Sequence, residues 1–353
     1  MPPRDARIHY DAALLPKLDK TKQYSAAEIV TSAMKVFARD PRVVSIDSDL
    51  ASTSGLEAGV AAVDQKRALN VGVAEANMMG IGEGFAALGF NTWVSTFCPF
   101  FDWKVLRRIA VGYQERLEAI EAKDGWLSEG HGLDLTFLAT AANFETRTNG
   151  ATHMGNDDIT IFDGMGHLKI IDVSCPQQLL GVMKWIMEGN RGLAYVRVNR
   201  VAYGVLYDRD FAFEFGRGYT LRESAGDKAV IVSSGRGVYE ALAAEEECAR
   251  NGLSVGVVDM PSIDEELLLR LMDSGKTLFL AEQNNGYIWQ NSLKVLYRRR
   301  KVNPPLHKII AINTLTSAGK PRFIHSGTYE ELVQAFGLAA SQLAETIQAS
   351  KID

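Results

Sequence analysis

The sequence predicts an α/β protein of two consecutive domains, each a mainly parallel sheet flanked by helices. Three observations carry that prediction. At 353 residues the chain exceeds a usual single domain. Short apolar, β-branched runs alternate with helical patterns along most of it, the rhythm of a parallel sheet covered on both faces. The rhythm breaks once, between Asn199 and Gly218, where Tyr, Phe, Asp and Gly follow no clear period, and then resumes. The expected division is an N-terminal arm over 1–20, a first domain over 21–198, a linker over 199–218 and a smaller second domain over 219–353.

The arm is mixed and Pro-containing, without a sustained period. Ser25 followed by Glu28 is a capping box, and Ile29, Val30, Met34 and Phe37 then share one helical face, so a helix should run to about Arg39, before Pro41. Residues 43–47 read as a buried strand. The polar stretch from Asp49 to Gly55 follows it, where open α/β sheets build binding sites. Further strands are expected at 68–71, 92–95, 135–139, 168–173 and 194–198. In the second domain strands are expected at 228–233, 253–259, 277–281 and 308–312, with helices at 238–250 and 265–272 and a closing amphipathic helix after Thr328.

Composition narrows the function classes. With 38 basic against 43 acidic residues, 46% hydrophobic residues and a mean hydropathy of −0.06, the chain reads as globular and cytoplasmic. No apolar run approaches the roughly 18 to 20 residues needed to span a bilayer, and residues 1–7 lack the apolar centre of a signal peptide. A net charge of −5 argues against a nucleic-acid or anionic-membrane partner. Cys98, Cys175 and Cys248 are far apart with no CxxC spacing, which excludes a disulfide framework and a cysteine zinc site. The basic run Arg298-Arg299-Arg300-Lys301 reads as a solvated helix end favoured by the dipole.

The motifs that are absent matter as much. There is no GxxxxGK[ST], HExxH or GxSxG. Gly80, Gly82 and Gly84 lie inside a helical pattern without GxGxxG spacing and read as close helix packing. Just before them, in Asn70-Val71-Gly72-Val73-Ala74-Glu75-Ala76-Asn77-Met78-Met79-Gly80, a single carboxylate opens an otherwise apolar, small-residue helix. Glu75 is either an exposed first-turn acid favoured by the dipole or a partly desolvated working group.

Asn70 to Gly80, followed by Thr96-Phe97-Cys98-Pro99-Phe100-Phe101-Asp102-Trp103 and by Gly150-Ala151-Thr152-His153 with Asp158, resembles the pyrimidine-binding domain of transketolases. Ala281-Glu282-Gln283-Asn284, and Ser326-Gly327 before the last helix, are similar to the transketolase C-terminal domain. The resemblance spans roughly residues 20 to 345. It implies a thiamine diphosphate-binding fold in which Glu75 hydrogen-bonds N1′ of the aminopyrimidine and, through that ring, assists proton removal from thiazolium C2. It implies that Phe100 stacks on the pyrimidine with Phe97 and Trp103 beside it, that Asp49 lies near the cofactor, that His153 reaches the donor sugar hydroxyls, and that Arg197 binds the sugar phosphate. His9, His131, His167, His307 and His325 match no family position.

The sequence also departs from the family pattern. Asn149 stands where an Asp is usual, Ala141 where many members carry a phosphate-contacting His, and Lys22 near an expected Arg. These changes fall at the sugar end, so the resemblance implies retained chemistry with a shifted ketose. Full-length members hold the diphosphate through Mg²⁺ on a Gly-Asp-Gly motif, which this chain lacks. Lys123-Asp124-Gly125 and Phe162-Asp163-Gly164 read as turns. The implied protein is therefore the C-terminal subunit of a split transketolase, dimerising within an α₂β₂ assembly beside an N-terminal subunit that carries Mg²⁺. A β subunit of a 2-oxo acid dehydrogenase E1 component and a non-catalytic regulatory homologue are the alternatives.

Overall fold

The computed structural model describes residues 6–122, 132–145, 148–190, 192–208, 211–299 and 303–350. The chain forms two compact units. One comprises residues 1–142, 162–171 and 175–214, the other residues 143–161, 172–174 and 215–353.

In the first unit, helix α1 (Ala26–Phe37) starts on the expected capping box, with both reciprocal Ser25–Glu28 bonds formed, and buries Ile29, Val30, Met34 and Phe37. Strand β1 (Val43–Asp47) is buried along its whole length, as a strand covered on both faces must be. It is followed by the short helices α2 (Ala51–Ser54) and α3 (Leu56–Ala61), strand β2 (Ala68–Asn70), α4 (Glu75–Ala87), β3 (Asn91–Phe97), α5 (Trp103–Glu121) and β4 (Leu135–Thr140). The unit closes with β5 (Leu168–Asp172), helix α7 (Pro176–Met187) and β6 (Leu193–Arg197), while α6 (Asp158–Phe162) lies between β4 and β5 in sequence. The strands are ordered β2-β1-β3-β4-β6-β5. β1 runs parallel to β2 and β3, β3 to β4, and β4 to β6.

Two sequence expectations shift here. The arm is built in: Ile8 N–H donates to the Met187 carbonyl and Leu15 is buried. The stretch read as a linker is largely structural, because Tyr24 and Tyr203 exchange backbone hydrogen bonds and Phe211 packs against Gly181 of α7, so residues through Glu214 belong to the first unit. Aromatic side chains without periodicity gave no signal of that packing.

The second unit holds β7 (Tyr219–Arg222), β8 (Ala229–Ser233), α8 (Gly237–Arg250), β9 (Val255–Asp259), α9 (Glu265–Asp273), β10 (Thr277–Ala281), α10 (Tyr287–Arg299) and β11 (Ile309–Ile312), ordered β11-β10-β8-β9-β7 with only β7 antiparallel among the paired strands. β7, a short edge strand, was not expected. The closing helix is two helices, α11 (Tyr329–Ala335) and α12 (Ala340–Ala349), separated where Gly337 adopts φ +72°. Arg298 and Arg299 do close a helix, with Arg298 exposed as expected, and they also form ion pairs with Glu265 and Glu266 of α9; Arg300 and Lys301 lie outside the described residues, as do His131 and Lys123-Asp124-Gly125. Asp163 and Gly164 do form a turn. The three cysteines are buried and in no disulfide among the described residues, and among those residues no helix is long and apolar enough to cross a membrane.

Candidate active site

The strand order of the first sheet reverses at β1, which has β2 on one side and β3 on the other. In open parallel sheets ligands bind outside the carboxyl ends of the strands at such a point. The register aligns Asp47 with Asn70 and Ser95, Phe97 with Thr140, and Ala139 with Arg197, so the segments that follow these strands share one edge.

Asp47 ends β1 and is 1% exposed. Its carboxylate accepts hydrogen bonds from Leu50 N–H (2.6 Å) and Ser54 Oγ (3.2 Å), which folds the chain into the turn that carries Asp49. Asp49 is exposed and takes φ +64°, a left-handed conformation that non-glycine residues rarely adopt and that clusters at functional sites. Between them the hydroxyl of buried Ser48 has no hydrogen-bond partner. Burial raises the Asp47 carboxyl to about 6, helped by the nearby charges of Glu57 and Asp49, while its two donors oppose the shift. The native state therefore binds the proton more tightly than the unfolded chain, so stability should fall as pH rises from about 4 to 6, by roughly 3 kcal/mol for a two-unit shift. Asp47→Asn keeps an acceptor for Leu50 and is expected to flatten this slope, measured as urea midpoints at pH 4.5 and 7.5; an unchanged slope would refute the assignment.

Glu75 is the first residue of α4, half-buried, in a first turn whose N-cap, Ala74, supplies no side-chain cap. The approach to it is fixed by Val71 N–H donating to the Asp47 carbonyl and Gly72 N–H donating to Asn70 Oδ1. Glu75 is thus neither the exposed first-turn acid of one sequence reading nor a fully buried group. The glycine reading holds only in part. A Cβ on Gly82 would lie 2.6 Å from Val94 Cγ1, whereas Gly80 and Gly84 face nothing within 4 Å.

Past β3, Pro99 sits in a single 3₁₀ turn, Cys98–Phe100, that brings Phe100 beside Phe97, with ring centroids 5.5 Å apart and the rings tilted by 33°. Phe97 is buried and Phe100 half-buried, so the pair offers one aromatic face. Trp103 is 53% exposed at the start of α5, outside that pair. Arg197 is fully buried. Arg200, which the sequence reading passed over, is partly exposed with its guanidinium 5.2 Å from the Phe97 ring centroid. The available signal was its place just beyond the end of β6, on the same edge. Lys22 is exposed in the turn before Tyr24.

Asn149 and His153 fall in the second unit, on the loop that leaves β4. Asn143 N–H donates to the Gly155 carbonyl (2.7 Å), which brings these two residues together. Phe144 and Met154 enter the core of this unit, Asn149 is exposed, and His153 is half-buried with its Nδ1 2.7 Å from Thr152 Oγ1. Ala141, before the loop, also has positive φ (+59°).

Glu282 and Asn284 have a structural role. The fully buried Glu282 carboxylate accepts Ile288 N–H (2.5 Å) and Trp289 N–H (3.0 Å), and Asn284 Oδ1 accepts Gly286 and Tyr287 N–H, which together cap α10.

The carboxyl edge of the first sheet thus gathers a tilted Phe100–Phe97 pair, a carboxylate at a helix start and a buried hydroxyl, Ser48, without a hydrogen-bond partner. These residues fit the aminopyrimidine end of thiamine diphosphate. Among the described residues no three His, Cys, Asp or Glu side chains gather as a metal would require. Comparison with known proteins agrees with this class. The transketolase pyrimidine-binding domain family matches residues 22–205 and the transketolase C-terminal domain family residues 218–287, and the chain belongs to the transketolase family. It is 28% identical over 315 residues to a Methanocaldococcus jannaschii protein described as a transketolase C-terminal section, covering 86% of this chain and 89% of that one. It is 27% identical to a 6-deoxy-6-sulfo-D-fructose transketolase subunit of a Clostridium species, over 66% and 67% of the two chains. A solved split-gene transketolase, an inactive β4 tetramer, superposes with a TM-score of 0.68 at 23% identity over 88% and 92%.

Proposed function

We propose that this chain is the aminopyrimidine-binding subunit of a split, thiamine diphosphate-dependent transketolase. The observation that carries the reading is the joint placement of Glu75 and the Phe97–Phe100 pair beside the switch point of a transketolase-type sheet. The cofactor, when bound, supplies the carbanion chemistry that lets the C2–C3 bond of a ketose break and its two-carbon ketol unit pass to the carbonyl carbon of an aldose. Glu75 holds the proton shared with the pyrimidine N1′, Phe100 stacks on the ring, and Phe97, packed behind it, keeps water from that face. Asp49 lies at the rim, near the cofactor. A partner subunit carries the diphosphate and Mg²⁺, which is supported by the relatives described as sections and subunits and by the lack of a Gly-Asp-Gly motif here. An α₂β₂ assembly in the cytoplasm completes the proposal.

By the family resemblance, His153 is assigned to the donor hydroxyls, Asn149 to a neighbouring one and Lys22 to a positive charge for the substrate. Arg200, rather than the buried Arg197, suits the donor's terminal anion. The related subunit named for a sulfo-sugar supports a ketose ending in phosphate or sulfonate. Arg200→Leu is expected to raise the donor KM about 10- to 100-fold with kcat little changed, as for a lost charge-assisted hydrogen bond; unchanged KM would return the role to another cation.

The overall test is co-expression with a Gly-Asp-Gly-bearing partner, then assay of ketol transfer with thiamine diphosphate and Mg²⁺ over ketose 5- and 6-phosphates and a 6-sulfonate. Ordinary turnover of xylulose 5-phosphate would oppose a shifted substrate. Release of CO₂ from a 2-oxo acid would replace transketolase by the dehydrogenase reading, and assembly without either reaction would favour a regulatory one.

A further inference from the structure

The loop that carries His153 has both feet in one buried polar network of the second unit. At its first foot the Glu145 carboxylate, 2% exposed, forms an ion pair with Arg236, which precedes α8. The Arg236 guanidinium lies 3.1 Å from the centroid of the Tyr329 ring, at the start of α11. The Tyr329 hydroxyl donates to Glu240 Oε1 (3.1 Å) and accepts from Gln283 Nε2 (2.6 Å). The Gln283 carbonyl in turn accepts from Asn156 Nδ2 (3.3 Å) at the second foot, and Thr314 Oγ1 donates to Asn156 Oδ1 (3.2 Å). Between the feet, Ala151 N–H donates to the Ile324 carbonyl, and a Cβ on Gly150 (φ +71°) would stand 2.9 Å from Ser326 N. His153 N–H then closes the turn on the Gly150 carbonyl (3.0 Å).

We propose that Arg236 is a positioning residue: by joining Glu145 to Tyr329 it fixes the loop that presents His153, so the C-terminal domain serves the reaction by holding the donor-binding histidine. The proposal rests on the transketolase reading for His153. A buried ion pair often adds little net stability, and setting one geometry is its better-attested use. A lone Arg–Glu pair would hold one point of the loop. This network holds both ends, so the intervening turn has little freedom to shift a histidine whose misplacement by about 1 Å would cost on the order of 10²-fold in rate.

The test is a double-mutant cycle in the assembled enzyme, pairing Arg236→Met with His153→Asn. Arg236→Met should lower kcat/KM for the ketose donor at least 10-fold, mostly through KM, when His153 is present, and less than 2-fold when it is absent. Arg236→Lys should recover part of the loss, and thiamine diphosphate affinity should stay within 2-fold of wild type. Additive losses, or an equal loss of cofactor affinity, would reduce Arg236 to a general structural role and overturn the proposal. If Arg236→Met folds poorly with Glu145 left unpaired, the Glu145→Gln/Arg236→Met double variant replaces it, with the same expectations. Amide exchange of residues 150–156 is a readout independent of activity: Arg236→Met should accelerate it at least 10-fold, and unchanged exchange would sink the clamp. If the wild-type complex transfers no ketol unit while exchange rises, the transketolase reading fails and the clamp stands.

Discussion

Glu75→Gln in the assembled enzyme is expected to lower ketol transfer by about 10² to 10⁴-fold, the range in which a positioned acid or base contributes. The substitution is nearly isosteric and leaves α4 its first residue, so the only helical cost is the dipole term, about 0.3–1 kcal/mol. What it removes is a carboxylate able to share a proton with a ring nitrogen from a half-buried position. Assembly, melting temperature and stacking on Phe100 should therefore survive while turnover collapses. Single-turnover measurements separate this from weaker cofactor binding. Retention of more than a tenth of wild-type activity at saturating cofactor would remove Glu75 from the mechanism.

Glu282→Ala is expected to be the most destabilising single change among those considered, at about 3–5 kcal/mol. The side chain is fully buried and satisfies two backbone donors that open α10, Ile288 and Trp289. Hydrogen bonds to a charged acceptor contribute about 1.5–3 kcal/mol each, and deletion also leaves a cavity with two desolvated N–H groups. Glu282→Gln keeps one good acceptor and should lose about half as much. Urea unfolding midpoints of the two variants, with cofactor absent, test this. A loss below 1 kcal/mol for the alanine variant would mean that water or Asn284 takes over the cap.

Much of the fold was legible in local patterns. Nearly every expected strand appears within one or two residues of its predicted span, because a strand buried on both faces reads as a near-continuous apolar, β-branched run, as residues 43–47 and 229–233 do despite the buried Ser45, Asp47 and Ser233. The Ser25–Glu28 capping box was equally readable, since its four residues contain the whole interaction. β7 was not, because its alternating Tyr219–Arg222 pattern gains meaning only from the β9 partner. Phe211 and the arm were missed for a similar reason: their contacts are made far along the chain.

The candidate site divides in the same way. Glu75, Phe97 and Phe100 could be named only through the resemblance of the motifs that carry them to the transketolase pyrimidine-binding domain. Burial could not be named. Arg197 and Arg200 are both cations around the end of β6, and only the folded chain shows one in the interior and the other beside the Phe97 ring. Asp47 and Asp49 are likewise two acids of one short segment, yet one is a buried organiser of the turn and the other its exposed tip.

By itself, then, the sequence determined the family, the two parallel sheets and the chemistry-bearing residue types, because periodicity and short motifs are properties of neighbours along the chain. The tertiary structure alone decided which charges are buried, which of Arg197 and Arg200 reaches the surface, and that Glu145 and Asn156 join Arg236, Tyr329 and Gln283 in one network. Those are properties of residues up to about 180 positions apart, Glu145 and Tyr329 among them, which meet only once the hydrophobic core of the second unit has offset the entropy of bringing them together.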